Sequence, residues 1–130
     1  MTPFGMRMRF LRRQKGLTLQ DQAACLDVSA AYISALEHGK RGRPSAIFVD
    51  QICVWLDLIW DEAEFLKYLA QMSHPNPSIR TAALPAEATF LANLMSQNID
   101  RLSARQCQDL FERLQHFLKQ ETGMDFERSP

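Results

Sequence analysis

Eight cationic side chains fall within the first 45 residues: Arg7, Arg9, Arg12, Arg13 and Lys15, then Lys40, Arg41 and Arg43 just after His38-Gly39. Guanidinium and ammonium groups spaced this way can neutralise phosphates on a polyanion. Covalent catalysis or proton transfer finds less to work with. His38, His74 and His116 are far apart in the chain, no nucleophile stands beside a base, and no glycine-rich phosphate loop is present. The acidic group Asp57, Asp61, Glu62 and Glu64 reads as a solvated helix face and cap rather than a metal site. Cys25, Cys53 and Cys107 are odd in number and widely separated, each within a helical pattern. That spacing suits neither a disulfide framework nor a zinc site, and the three read as buried, unreactive thiols. The expectation is a non-enzyme with no cofactor and no metal.

A formal net charge of zero conceals a polar division of the chain. From Met1 to Ser45 eight basic residues meet three acidic ones, a balance of +5, whereas the remainder carries a balance of −5. A phosphate backbone senses the local face and not the total. The composition, 46% hydrophobic and 23% charged, is that of an ordinary globular protein. No stretch is apolar for long enough to span a membrane, and the start of the chain has no signal-peptide pattern. A cytoplasmic location is expected.

The elements that must position these charges are all helical. Apolar spacing and caps predict helices over about 4–14, 18–26, 30–38, 45–56 and 61–72. Thr18 with Asp21 forms an approximate capping box, and Ser29 is a good N-cap for the third helix. Asp27 falls where the turn needs a left-handed residue, which aspartate tolerates. Gly39 stops the third helix. Ile33 and Leu36, with Val28, form its inward stripe. Core candidates in the fourth helix are Ile47, Phe48, Ile52, Cys53, Trp55 and Leu56, and in the fifth Phe65, Leu66 and Leu69, with Asp61 as cap.

Residues 73–85 contain Pro75, Pro77 and Pro85 and read as an extended linker. Two more helices follow, over about 86–98 and 103–121, the second opened by a Ser103–Gln106 capping box. A helical hairpin at 86–121 exposes Phe90, Leu91, Leu94 and Met95 on one arm and Leu110, Phe111, Leu114, Phe117 and Leu118 on the other. So short a unit, without staples, needs something to pack against. Docking on the first five helices is possible; pairing with a second copy is the favoured reading. The tail over 122–130 is expected to fray.

Two short helices, a tight turn, a glycine stop and a basic loop form the layout that places one helix in the major groove of DNA. Gly16-Leu17-Thr18, Ala23, Leu26, Val28-Ser29, Tyr32-Ile33-Ser34 and Glu37-x-Gly39-Lys40 also match, without a gap, the motif of a known family. Over about residues 4–70 the chain resembles the Cro/cI-like (XRE family) helix-turn-helix repressors. The resemblance implies an all-α fold, a five-helix lambda-repressor-like domain at 1–72, here followed by the C-terminal two-helix hairpin. It also implies double-stranded DNA as partner, a homodimer on a two-fold symmetric operator, and a structural pair between Arg12 and Glu37.

By the same resemblance the DNA-facing positions are Arg13, Thr18, Leu19, Gln20, Ser29, Ala30, Ala31, Tyr32, Ser34, Ala35, His38, Lys40, Arg41 and Arg43. Phosphate contacts are also expected from Arg7 and Arg9. Here the chain departs from the family. Positions 30, 31 and 35 usually hold hydrogen-bonding residues but are alanines, and Leu19 replaces a glutamine. Alanine can only rest against a thymine methyl. Readout is left to Ser29, Tyr32, Ser34 and His38, or to DNA shape and the loop arginines. The alternative is an antitoxin-type or other protein-binding module whose hairpin engages a protein partner.

Overall fold

A computed structural model describes residues 1–122; the expected tail beyond residue 122 lies outside the described residues. Every named element is helical: α1 (Pro3–Lys15), α2 (Leu19–Leu26), α3 (Ala30–Glu37), α4 (Ala46–Trp55), α5 (Trp60–Gln71), α6 (Ala86–Asn98), a 3-10 turn (Ile99–Arg101) and α7 (Ala104–Thr122). The chain divides into two compact units, Met1–Pro77 and Ser78 onward.

In the first unit, α1 begins at Thr2, whose hydroxyl accepts from the Gly5 N–H at 3.1 Å, and ends at Gly16 in the left-handed region. Phe4, Met8 and Leu11 lie one to two turns apart on one face of α1. They meet Val49, Ile52 and Leu56 of α4 and Leu66 and Ala70 of α5 in a single core. Ile47 was expected inside and is exposed. Val49 is two residues on, about 200° around the helix, and occupies the inward line instead. Asp61 does not cap α5: the N-cap position is Ile59, and its N–H is met by Glu62 Oε1 at 3.4 Å. The cysteines also depart from expectation. Cys25 and Cys107 are exposed, Cys25 because it falls off the buried line of α2 and Cys107 because the apolar stripe of α7 on which it lies is itself exposed; only Cys53 is partly enclosed. Burial pushes the Cys53 thiol above its ordinary range.

Ser73, expected to open the linker, is buried. Its hydroxyl accepts from the Phe4 N–H at 2.9 Å and donates to the Leu69 carbonyl, tying the end of α5 to the start of α1. In the second unit α6 packs on the 3-10 turn. Ser103 and Gln106 form a reciprocal cap on α7. None of the described apolar side chains of this unit is buried.

What fixes α3 is a polar group in the interior. Arg12 on α1, Gln22 on α2 and Glu37 at the end of α3 are all buried. The Arg12 guanidinium makes a two-pronged ion pair with Glu37, Nη1 to Oε2 and Nη2 to Oε1 (3.2 Å), while Nη1 also donates to Gln22 Oε1 at 2.6 Å. Thr2 clasps the same residue from the other side: its N–H and its hydroxyl both donate to the Glu37 carbonyl, at 2.9 and 3.0 Å. α1 and α3 approach so closely there that a Cβ at Gly5 would fall 2.9 Å from the Glu37 Cα and nearer still to its carbonyl oxygen.

Two outcomes follow. Gly5→Ala forces the two backbones apart, so thermal unfolding should shift down by about 10 °C or more, as overpacking of about 2 kcal/mol does in a domain this small. Arg12→Ala strands a buried carboxylate and should cost about 3–5 kcal/mol in denaturant unfolding. Arg12→Met with Gln22→Leu and Glu37→Leu should recover most of that loss, since the unpaired charge is then gone.

Candidate nucleic-acid interface

The α2–turn–α3 segment is built from reciprocal caps. The Thr18 hydroxyl accepts from the Asp21 N–H at 3.0 Å and Asp21 Oδ2 accepts from the Thr18 N–H at 2.8 Å. The hydrogen bond from the Thr18 backbone, then that from its side chain, hold the Asp21 carboxyl below its usual range. Asp27 takes the left-handed conformation at the turn, with φ of 55°. Ser29 Oγ accepts from the Tyr32 N–H at 3.0 Å and starts α3. Gly39, with φ of 78°, then releases the chain into the basic loop.

Burial sets the orientation of α3. Ile33, Leu36 and Glu37 face inward. At about 100° per residue, the opposite side of the helix is the line Ala31, Ala35, His38. Ala31 and His38 are exposed and Ala35 half-buried. The imidazole Nδ1 of His38 lies 2.9 Å from the Ser34 carbonyl oxygen. Of the remaining positions, Ser29 is exposed and Ala30 and Ser34 are half-buried. Tyr32 is also half-buried; its ring meets Phe48 edge-on at 6.0 Å and carries the Arg41 guanidinium 5.7 Å above its centre. Tyr32 is therefore a packing residue that orients a loop arginine.

Around this face, Arg13, Thr18, Gln20, Lys40, Arg41 and Arg43 are exposed and Leu19 is half-buried. Arg9 and Arg13, four residues apart on α1, are exposed together. Arg7, expected at the phosphates, is half-buried: its guanidinium stacks over Phe10 (4.9 Å) and Phe65 (5.2 Å), and its Nε is buried. Two members of the arrangement carried no sequence signal. Gln22 is a polar residue at an inward position of α2, where spacing alone predicts an apolar one. Lys67 on α5 lines an open cleft of about 600 Å³ with Arg43, Ser45 and Asp50, where it is bridged to Asp50 and Glu64, each at 3.5 Å. The Glu64 carboxylate, foremost, holds the Lys67 ammonium above its ordinary range.

Among the described residues no cluster of His, Cys, Asp and Glu could hold a metal ion, and no helix is long and apolar enough to cross a membrane.

A comparison with known proteins matches residues 3–66 to a family model described as a helix-turn-helix domain. An uncharacterized HTH-type transcriptional regulator, RghRB of Bacillus subtilis (strain 168), is 36% identical over 61 residues, 47% of this chain and 44% of that protein. The HTH-type transcriptional repressor RghR of the same organism is 31% identical over 98 residues, 72% of this chain and 73% of its own length. The chain thus spans less than half of the first relative and about three quarters of the second. No solved structure is matched. The caps of α2 and α3, the outward line of α3 and a likeness that extends beyond residue 66 agree: the chain belongs to the helix-turn-helix transcriptional regulators, a family of regulators and not of enzymes.

Proposed function

We propose that this chain is a sequence-specific, double-stranded-DNA-binding transcriptional regulator of the Cro/cI-like (XRE) type. It acts in the cytoplasm as a repressor and binds a two-fold symmetric operator as a homodimer. The observation that carries the reading is the outward face of α3: made of small side chains and flanked by exposed cations, on a helix anchored from behind by the buried Arg12–Glu37 pair. A helix with Ala31 and Ala35 outermost can sit deep in a major groove and touch thymine methyls. Arg13 before it and Lys40, Arg41 and Arg43 after it then fall to the phosphates. One relative is named a repressor, which supports the sign of regulation.

The homodimer rests on the second unit. Phe90 and Leu91 on α6 and Leu110, Leu114 and Phe117 on α7 are about half exposed or more. Over residues 78–122 five basic residues balance five acidic ones, so a second copy meets no net repulsion. Pairing of two such units makes a four-helix arrangement. It also joins two reading helices that must address half-sites about 34 Å apart.

Mobility-shift titrations across salt concentration test the DNA reading. Arg41→Ala with Arg43→Ala should weaken binding to every duplex and flatten the log–log salt slope by about 1.8, two phosphates at about 0.9 each. Ala31→Glu should abolish operator binding; retained affinity would remove α3 from the groove. Sedimentation of the full-length protein tests the assembly. The wild type should run as a dimer and Leu114→Asp with Leu118→Asp as a monomer that binds the operator more weakly. A monomeric wild type would instead assign the apolar stripe to a different protein.

A further inference from the structure

Within the DNA reading proposed above, on which this inference rests, the outward line of α3 contains a single side chain able to hydrogen-bond a base. Ala31 and Ala35 have no polar atom, so the line depends on His38. The neighbouring polar side chains are already engaged or set back. Ser29 Oγ caps the helix at the Tyr32 N–H, the Tyr32 ring lies between Phe48 and Arg41, and Ser34 is half-buried. We propose that His38 is the base-reading side chain of α3, and that its Nε2 reads an exocyclic amino group, adenine N6 or cytosine N4.

The argument is one of proton placement. Nδ1 of His38 is 2.9 Å from the Ser34 carbonyl oxygen. A carbonyl oxygen only accepts, so the hydrogen in that bond is carried by Nδ1. In the neutral ring Nε2 is then bare, an acceptor, and it belongs to an exposed side chain at the end of the outward line. Moving the proton to Nε2 to present a donor there would lose the bond to Ser34 and leave two acceptors, Nδ1 and the carbonyl oxygen, against each other.

In the major groove the complementary donors are the amino groups of adenine and cytosine. Guanine offers two acceptors there, and thymine an acceptor and a methyl group. Phosphate oxygens are acceptors too, so a bare Nε2 gains nothing from the backbone and is directed to the bases. Ala31 and Ala35, on the same line, add methyl contacts to this one polar test. The half-site would therefore carry a position where adenine or cytosine is required, beside thymines recognised by their methyl groups.

Selection from a pool of random-sequence duplexes tests this with the full-length protein. The wild type should enrich adenine or cytosine over guanine about fivefold or more at one position of each half-site, the discrimination expected of one net hydrogen bond. His38→Ala should lose that preference there and keep every other selected position. His38→Lys, with donors only, should move the preference at the same position to guanine. Identical sites for wild type and His38→Ala, or a wild-type preference for guanine that His38→Ala removes, would overturn the assignment while leaving α3 in the groove. A wild type that enriches no sequence at all would instead remove the DNA reading, and this assignment with it.

Discussion

The buried pair between Arg12 and Glu37 is the interaction on which the rest of the first unit depends. An eight-residue helix such as α3 does not hold its shape by itself, because so few internal hydrogen bonds repay the cost of nucleation. Its N-terminus is closed by Ser29, but its far end is secured from α1. The carboxylate of Glu37 receives the Arg12 guanidinium, and its carbonyl receives both donors of Thr2. Taking these charges out of water is costly, and the two-pronged geometry with the added bond to Gln22 offsets that cost. Because such a pair tolerates little change in angle, it also sets the rotation of α3 about its axis, and thereby which residues face solvent.

That constraint explains how a helix with so little chemistry on its outer face can be a reading element. α3 is held from behind, so the face needs no bulky side chains to define its position. Ala31 and Ala35 can be small, and the cations that supply affinity can sit on the flanking segments. In the proposed reading affinity and discrimination are separated in space: phosphate neutralisation falls to Arg13 and the Lys40–Arg43 loop, and sequence discrimination to a narrow line ending in His38. Tyr32 links the two, since its ring packs on Phe48 and supports the Arg41 guanidinium.

The second unit answers a different physical demand. α7 opens on a reciprocal cap and carries a strong apolar stripe, yet none of the described apolar side chains of this unit is buried. Backbone hydrogen bonds define each helix locally, while the apolar stripes have no buried core among the described residues. A surface of this kind gains stability from association, and in the proposed homodimer its charge balance leaves a second copy unrepelled.

Caps, turns and the helical pattern were legible in the residues themselves, because they depend on neighbours three or four positions away: Thr18 with Asp21, Asp27 in the left-handed region, Ser29, and Ser103 with Gln106. The direction of a side chain around its helix was less so. Ile47 and Val49 are equally apolar, and only packing against α1 and α5 decided that Val49 is inside. Arg7, Arg9 and Arg12 are alike as residues. Tertiary structure sent Arg7 onto two aromatic rings, Arg12 into the interior and Arg9 to the solvent. The burial of Gln22 and the closeness of Gly5 to Glu37 were decided by contacts across space, which depend on distances and angles that residue spacing does not contain.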